Sequence, residues 1–242
     1  MAIIDITNEN CVKIDATATV YIHSNTANIA YSFNEDANVL VYCDTDGDLV
    51  LNETGSVNGC NVTISYLHLD YADLKQNTKI DVLRHGSLTV NSTYLGVKKK
   101  EIVYDLYNKE SYSDVNITNN IVALDDASLT LDCIGTIAKG SKSAKCHQKN
   151  RCLTMGNPKI AKVLPVLNID ENDVEASHSL SSGTIDEEVL FYMNSRGLNK
   201  NQSLNLILKS YLMPGDSFYE GFEDGKLIQQ SANKKVDDLC SM

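Results

Sequence analysis

The sequence predicts a mainly β protein with a short helical C-terminal region, and three observations carry that prediction. No proline occurs in the first 157 of its 242 residues. Short apolar or alternating runs recur there at a spacing of roughly 8–12 residues, the pattern of many short strands in a sandwich, barrel or solenoid. Beyond Pro165 the apolar spacing changes from a strand period to a helical one.

The strand-like runs are TVYIHS (19–24), NVLVYC (38–43), DLVLNE (48–53), NVTISYLHLDY (61–71), KIDVLRHG (79–86), SLTVNSTYLG (87–96), EIVYDLY (101–107), DVNITNNIVAL (114–124) and SLTLDCIGTI (128–137). Asp, Asn, Gly and Ser separate them. Two features favour a solenoid. Of 24 asparagines, 17 lie in residues 1–157, where tight corners would use them. Asn-Gly, the strictest signature of a two-residue hairpin, occurs only at Asn58-Gly59. Strands joined by corners instead of hairpins fit a β-helix. No exact sequence period is visible. VLNI (166–169) reads as the last strand, which sets a β core over 1–169 and a helical region over 170–242.

In the helical region Thr184 reads as an N-cap with Glu187 completing a capping box, and Asp186 suits the positive end of the helix. Val189, Leu190 and Met193 form its apolar stripe, and Arg196-Gly197 closes it. A second helix starts at Asn199 with Gln202 at N3. Its apolar stripe is Leu204, Ile207, Leu208, Tyr211 and Leu212, and Pro214-Gly215 ends it. A helical hairpin over about 184–213 follows from these signals. The tail suggests a weak third helix near 217–230 that frays.

A net charge of −11 argues against nucleic-acid binding and against docking on an anionic membrane. No apolar run is long enough to span a bilayer, and MAIIDITNENCVKID lacks the basic and apolar regions of a signal peptide. These features predict a cytoplasmic protein whose seven cysteines are reduced thiols. GSKSAK (140–145) is not a phosphate loop, so the chain should bind no nucleotide. Cys133, Cys146, His147 and Cys152 lack a CxxC pair, which disfavours structural zinc, although thiolate and imidazole together could suit iron. The basic run KGSKSAKCHQKNR (139–151) reads first as a solvated face. His178 lies between acidic DENDVEAS-type sequence and small polar residues, not on an apolar helix face. At a strand end before a helix it could serve as a ligand or proton carrier.

Pro165, Leu167, Ile169, Asp173, Val174 and His178 form P-x-L-x-I-x-x-x-D-V-x-x-x-H. IDEEVLFYMNSRGL (185–198) follows, and Gln148, Arg151 and Leu153 precede it as Q-x-x-R-x-L. Over about residues 128–213 this arrangement resembles the C-terminal signature of the SufB/SufD family. The resemblance implies a right-handed parallel β-helix with C-terminal helices. It implies a non-enzymatic scaffold for iron–sulfur cluster assembly, working with a SufB-like subunit (or as a homodimer) and a SufC-like ABC-type ATPase. His178 falls on the family's histidine, implicated in holding iron or a transient cluster at a subunit interface. Ala176 stands where many SufD sequences carry cysteine, and Ser179 where they carry glycine. Ser177 replaces the acidic residue of SufB-type sequences, which makes SufD-like the better match. No counterpart of the family's N-terminal helical region is evident. The ATPase is expected on the second helix, at Leu204, Ile207, Leu208 and Tyr211, and the SufB-like subunit on the late coils. Two rival readings are an ATPase-binding adaptor that ligates no cluster, favoured by Ala176, and a β-helix carbohydrate-active enzyme, for which no carboxylate cluster is evident.

Overall fold

The computed structural model describes residues 2–7, 11–43, 45, 47–215 and 218–239. Among the described residues, fifteen strands precede three helices. They are β1 (Ala2–Ile6), β2 (Cys11–Ile14), β3 (Ala18–Ile22), β4 (Thr26–Phe33), β5 (Ala37–Cys43), β6 (Leu49–Val57), β7 (Asn61–His68), β8 (Leu74–Val82), β9 (Ser87–Gly96), β10 (Lys99–Asn108), β11 (Asp114–Ala123), β12 (Ser128–Ile137), β13 (Ala144–Thr154), β14 (Ile160–Ile169), β15 (Val174–Thr184), α1 (Glu187–Ser195), α2 (Lys200–Leu212) and α3 (Gly225–Leu239).

Odd-numbered strands form one sheet in the order β1-β3-β5-β7-β9-β11-β13-β15, and even-numbered strands form a second from β2 to β14. Successive strands therefore alternate between sheets, and each coil contributes one strand to each. Neighbours run parallel, as in β11 beside β13 and β12 beside β14. This is the parallel solenoid with C-terminal helices that the sequence predicts. The coils lengthen along the chain. Thr26 pairs with Val50, 24 residues on; Ser128 pairs with Ile160, 32 residues on.

Strict alternation of burial makes the core. β11 and β12 bury every second residue, and those side chains meet between the sheets in one continuous cluster. Outward positions carry polar ladders. Asn77 donates to Asn52 (3.3 Å), and Asn52 donates to Asn28 (3.2 Å). These asparagines lie mid-strand, so the amides serve side-chain stacking as well as corners. At two corners, His85 and Tyr112 hold positive φ without being glycine, and their rings stack with centroids 5.1 Å apart.

The interior also holds polar groups. Glu53 is buried and accepts from Tyr31 (2.7 Å), Tyr66 (3.0 Å), Gln76 (3.1 Å) and Thr78 (2.5 Å). Burial pushes its carboxyl pKa up against those four donors. Gln76 accepts from Tyr94 (2.7 Å), which also meets Tyr104 (2.5 Å). Further along, Ser92 donates to Asn119, and Asn119 donates to Asn150 (2.7 Å). A polar seam thus runs inside the solenoid from its early coils towards its last. Beside it, Lys100 and Asp70 form a buried ion pair of 2.9 Å.

The helices correct two sequence expectations. The N-cap of α1 is Asp186, not Thr184, because β15 continues through Thr184; the Asp186 carboxylate accepts from the Glu188 amide. The third helix is Gly225–Leu239, beginning later than expected and packed rather than frayed, with Ile228, Ala232 and Val236 buried. The helices do not cap the last coil. α2 lies against β9 and β11, and together with α3 it covers the flank where Leu40, Leu67, Leu95, Val122 and Leu153 project outward. The expected start of the second helix holds: Asn199 and Gln202 close a reciprocal capping box.

Candidate functional site at the open last coil

The sequence places the last strand at 166–169, but a further strand, β15, pairs with β13 along its whole length. β14 and β15 end their sheets, so each has a neighbour on one side only. None of the described residues covers them. β15 is exposed over most of its length, and Leu164, Ile169 and Leu180 are exposed large apolar residues on these two strands. Long uncovered edge strands with apolar side chains invite another chain.

His178 lies in the middle of β15, not at a strand end, and is exposed. Its face follows from the alternation: Val174 and Ala176, of the same parity, pack against the interior cluster. The intervening Ser177 meets His147 Nδ1 on the outer face at 2.8 Å. His178 therefore belongs to the inward column, at the mouth of the solenoid. Its partner in the ladder is Gln148. The Gln148 amide nitrogen donates across the interior to the Val166 carbonyl (3.0 Å). Asn150 donates to the Ser179 carbonyl (3.2 Å), which brings the polar seam up to the same strand.

The cysteines considered as ligands divide by geometry. Cys146 faces inward while its neighbour His147 faces outward, as strand alternation requires. Burial pushes the Cys133 and Cys146 thiols up to about 12, so both are neutral thiols in the isolated chain. Burial also raises the Cys152 thiol, against a hydrogen bond with Ser182. Among the described residues no three His, Cys, Asp or Glu side chains are arranged to hold a metal. Six described cysteines are unpaired, and Cys240 lies outside the described residues.

The motif residues have separable positions. Gln148 faces the interior, Arg151 stacks over the Tyr211 ring at 4.2 Å, and Leu153 enters the flank cluster. One strand therefore ties the mouth of the solenoid to α2. Pro165 stands on an edge strand, where a missing N–H is tolerated.

Of the four expected ATPase contacts, Leu208 is 2% exposed and belongs to the chain's own core. Ile207 and Tyr211 are half-buried against the same flank cluster, and Leu204 is half-buried. The stripe turns inward because the solenoid offers it an apolar flank. The exposed apolar residues of the helices cluster on α1 instead, at Val189, Phe191 (75% exposed) and Tyr192, with Leu206 exposed on α2 and Leu227 on α3. Sequence reasoning missed this surface because it expects the partner contact on the apolar stripe of the second helix. The FYM run, with no buried residue on its helix, was the available signal.

The family model described as "SUF system FeS cluster assembly, SufBD core domain" matches residues 9–211. Iron-sulfur cluster assembly protein SufD of Bacillus subtilis is 30% identical over 169 residues, covering 70% of this chain and 34% of that protein. Iron-sulfur cluster assembly protein SufD of Escherichia coli is 26% identical over 164 residues, covering 66% and 38% respectively. A SufBD family protein of Pyrococcus horikoshii is 27% identical over 143 residues, covering 57% and 31%. The chain spans about a third of the length of these relatives. No helix among the described residues is long and apolar enough to cross a membrane. The parallel solenoid, the signature around His178 and the match over residues 9–211 lead to one conclusion: the chain belongs to the SufB/SufD family of iron–sulfur cluster assembly proteins and is SufD-like within it.

Proposed function

We propose that the chain is a non-enzymatic SufD-like scaffold subunit of a cytoplasmic assembly complex. The observation that carries this reading is the last coil. β14 and β15 present unpaired backbone and apolar side chains, and His178 stands in the middle of that edge. A SufB-like subunit, or a second copy of this chain, adds its own strands there. The nascent iron–sulfur cluster is cargo held between the two subunits, with a His178 ring nitrogen as this chain's ligand. Ala176 supplies no thiolate, so the remaining ligands come from the partner. A SufC-like ATPase docks on the helical layer. The exposed Val189, Phe191 and Tyr192 on α1 favour that helix over the buried part of α2. Nucleotide is bound by the ATPase alone.

Reconstitution of the complex with SufB-like and SufC-like partners tests the proposal. His178→Ala removes an exposed side chain, so the complex should assemble normally and bind less iron and sulfide. An unchanged cluster yield in an intact complex would replace the scaffold reading with that of an adaptor.

A further inference from the structure

We infer that Gln148 is the positioning residue for His178. It fixes which ring nitrogen carries the proton and thereby leaves the other free to face a subunit across the open edge. The inference rests on the ligand reading of His178 given above.

Four observations carry it. First, Gln148 and His178 are direct partners in the β13–β15 ladder. Adjacent strands lie about 4.7–4.9 Å apart, and both residues belong to the inward column, so the amide and the ring are stacked neighbours. Second, the Gln148 side chain is already oriented. Its nitrogen is held by the Val166 carbonyl at 3.0 Å, which determines where its oxygen points. Third, that oxygen is buried without a hydrogen-bond partner, although the residue is only 3% exposed. A buried amide oxygen with no donor is costly and calls for an explanation. Fourth, the site is made for the amide. Gly135, on the facing sheet, would place a Cβ 2.9 Å from the Gln148 nitrogen and 2.5 Å from the Cys146 sulfur. Only glycine there lets the amide cross the interior to Val166.

His178 is the donor that this acceptor lacks. Rotation of the exposed ring above Gln148 lets one N–H donate to the waiting oxygen. Histidine ligands commonly donate their second nitrogen to a carbonyl in this way, which sets the tautomer and raises the basicity of the ligating nitrogen. A carboxylate would offer His178 an acceptor as well, but only the amide nitrogen also satisfies the Val166 carbonyl.

The test is the tautomer of His178 in the free chain, read from imidazole nitrogen shifts by NMR. His178→Ala identifies its signals among the five histidines. In the wild type the tautomer ratio should differ from that of an unconstrained histidine. Gln148→Met keeps the length and removes the acceptor, and should return the ratio to the unconstrained value. Gln148→Glu restores an acceptor and should restore the bias. The same ratio in the wild type and in folded Gln148→Met overturns the inference, and so does failure of Gln148→Glu to rescue. If Gln148→Met does not fold, the wild type and Gln148→Glu still decide it, since an unconstrained ratio in both overturns it. Because no cluster is needed, this outcome is separate from the cluster yield of His178→Ala. A biased tautomer with an unchanged yield supports the pairing and retracts only the ligand role.

Discussion

Two strands of the solenoid, β12 and β15, have the same geometry and opposite surroundings. β12 lies between β10 and β14 and buries alternate residues from Leu129 onward; β15 has β13 on one side and buries none. The difference lies in what comes next along the axis. In a solenoid each coil is completed by the one after it. The inner coils are therefore finished objects, and the last coil is left open. The same contrast separates α2, which finds an apolar flank and buries Leu208 and Leu212, from α1, which buries nothing.

The largest effect should come from the polar seam of the inner coils. Glu53→Ala removes the common acceptor of Tyr31, Tyr66, Gln76 and Thr78 and leaves buried donors unpaired. A loss of about 3 kcal/mol or more is expected, since each buried donor left unsatisfied costs about 1–3 kcal/mol, read by urea unfolding. A matched change on the last coil, Ser181→Ala, should stay within about 0.5 kcal/mol. Comparable losses at both sites would break the comparison.

Acid stability sharpens it next. Burial lowers the His68 pKa to about 3; the ring lies flat between Tyr66 and Tyr94, with centroids 6.1 and 5.1 Å away. The folded state keeps this ring neutral, while the unfolded chain protonates it below its ordinary value near 6.5. Between these limits the unfolded state binds more protons, so stability falls as pH drops from about 6.5 towards 3, by about 1.4 kcal/mol per unit. His68→Phe should move the acid-unfolding midpoint to lower pH. An unmoved midpoint would show that the buried ring does not limit acid stability.

Smaller still is the contrast between helices. Leu208→Ala should cost about 2–3 kcal/mol, near the low end for buried leucines, and lower the melting temperature of the free chain. Phe191→Ala should leave melting almost unchanged and weaken ATPase association at least about tenfold, equivalent to ~1.4 kcal/mol. Normal association of Phe191→Ala would move the docking surface off α1. Leu180→Lys should have the smallest effect on the free chain, within about 0.5 kcal/mol, yet suppress pairing at the open edge in size-exclusion chromatography of the complex. Unimpaired assembly would remove β15 from the interface.

What could be read in the sequence tracks how sharply a strand's two faces differ. β9, β11 and β12 were legible because apolar and polar residues alternate in them. β13 was read as a basic surface run, since its outer face carries Lys145, His147, Lys149 and Arg151 and its inner face Gln148 and Asn150. β15 has a weaker contrast, because its inward column mixes Val174, Ala176 and Leu180 with His178, Ser182 and Thr184, and most of it meets solvent instead of another coil. The absence of a sequence period has a geometric cause: coils that span 16 residues at the start of the solenoid and 32 near its end cannot repeat at a fixed interval. His178 was found by its motif. Gln148 belongs to the same motif, but its partner is hidden in the sequence, because strand register does not show in a linear pattern.

A stack of similar apolar coils faces an ambiguity during assembly, since one coil could dock on the wrong neighbour with little loss of oily contact. The interior seam removes that freedom. Glu53 needs hydroxyls and an amide from β4, β7 and β8, and Asn119 needs Ser92 below it and Asn150 above. A coil misplaced by one level would strand these groups in a dry interior. The seam acts as an address written into each coil, discriminating against wrong stacking orders more than it strengthens the right one. Replacing it wholesale with leucines could then yield a chain that is stable and yet misassembled.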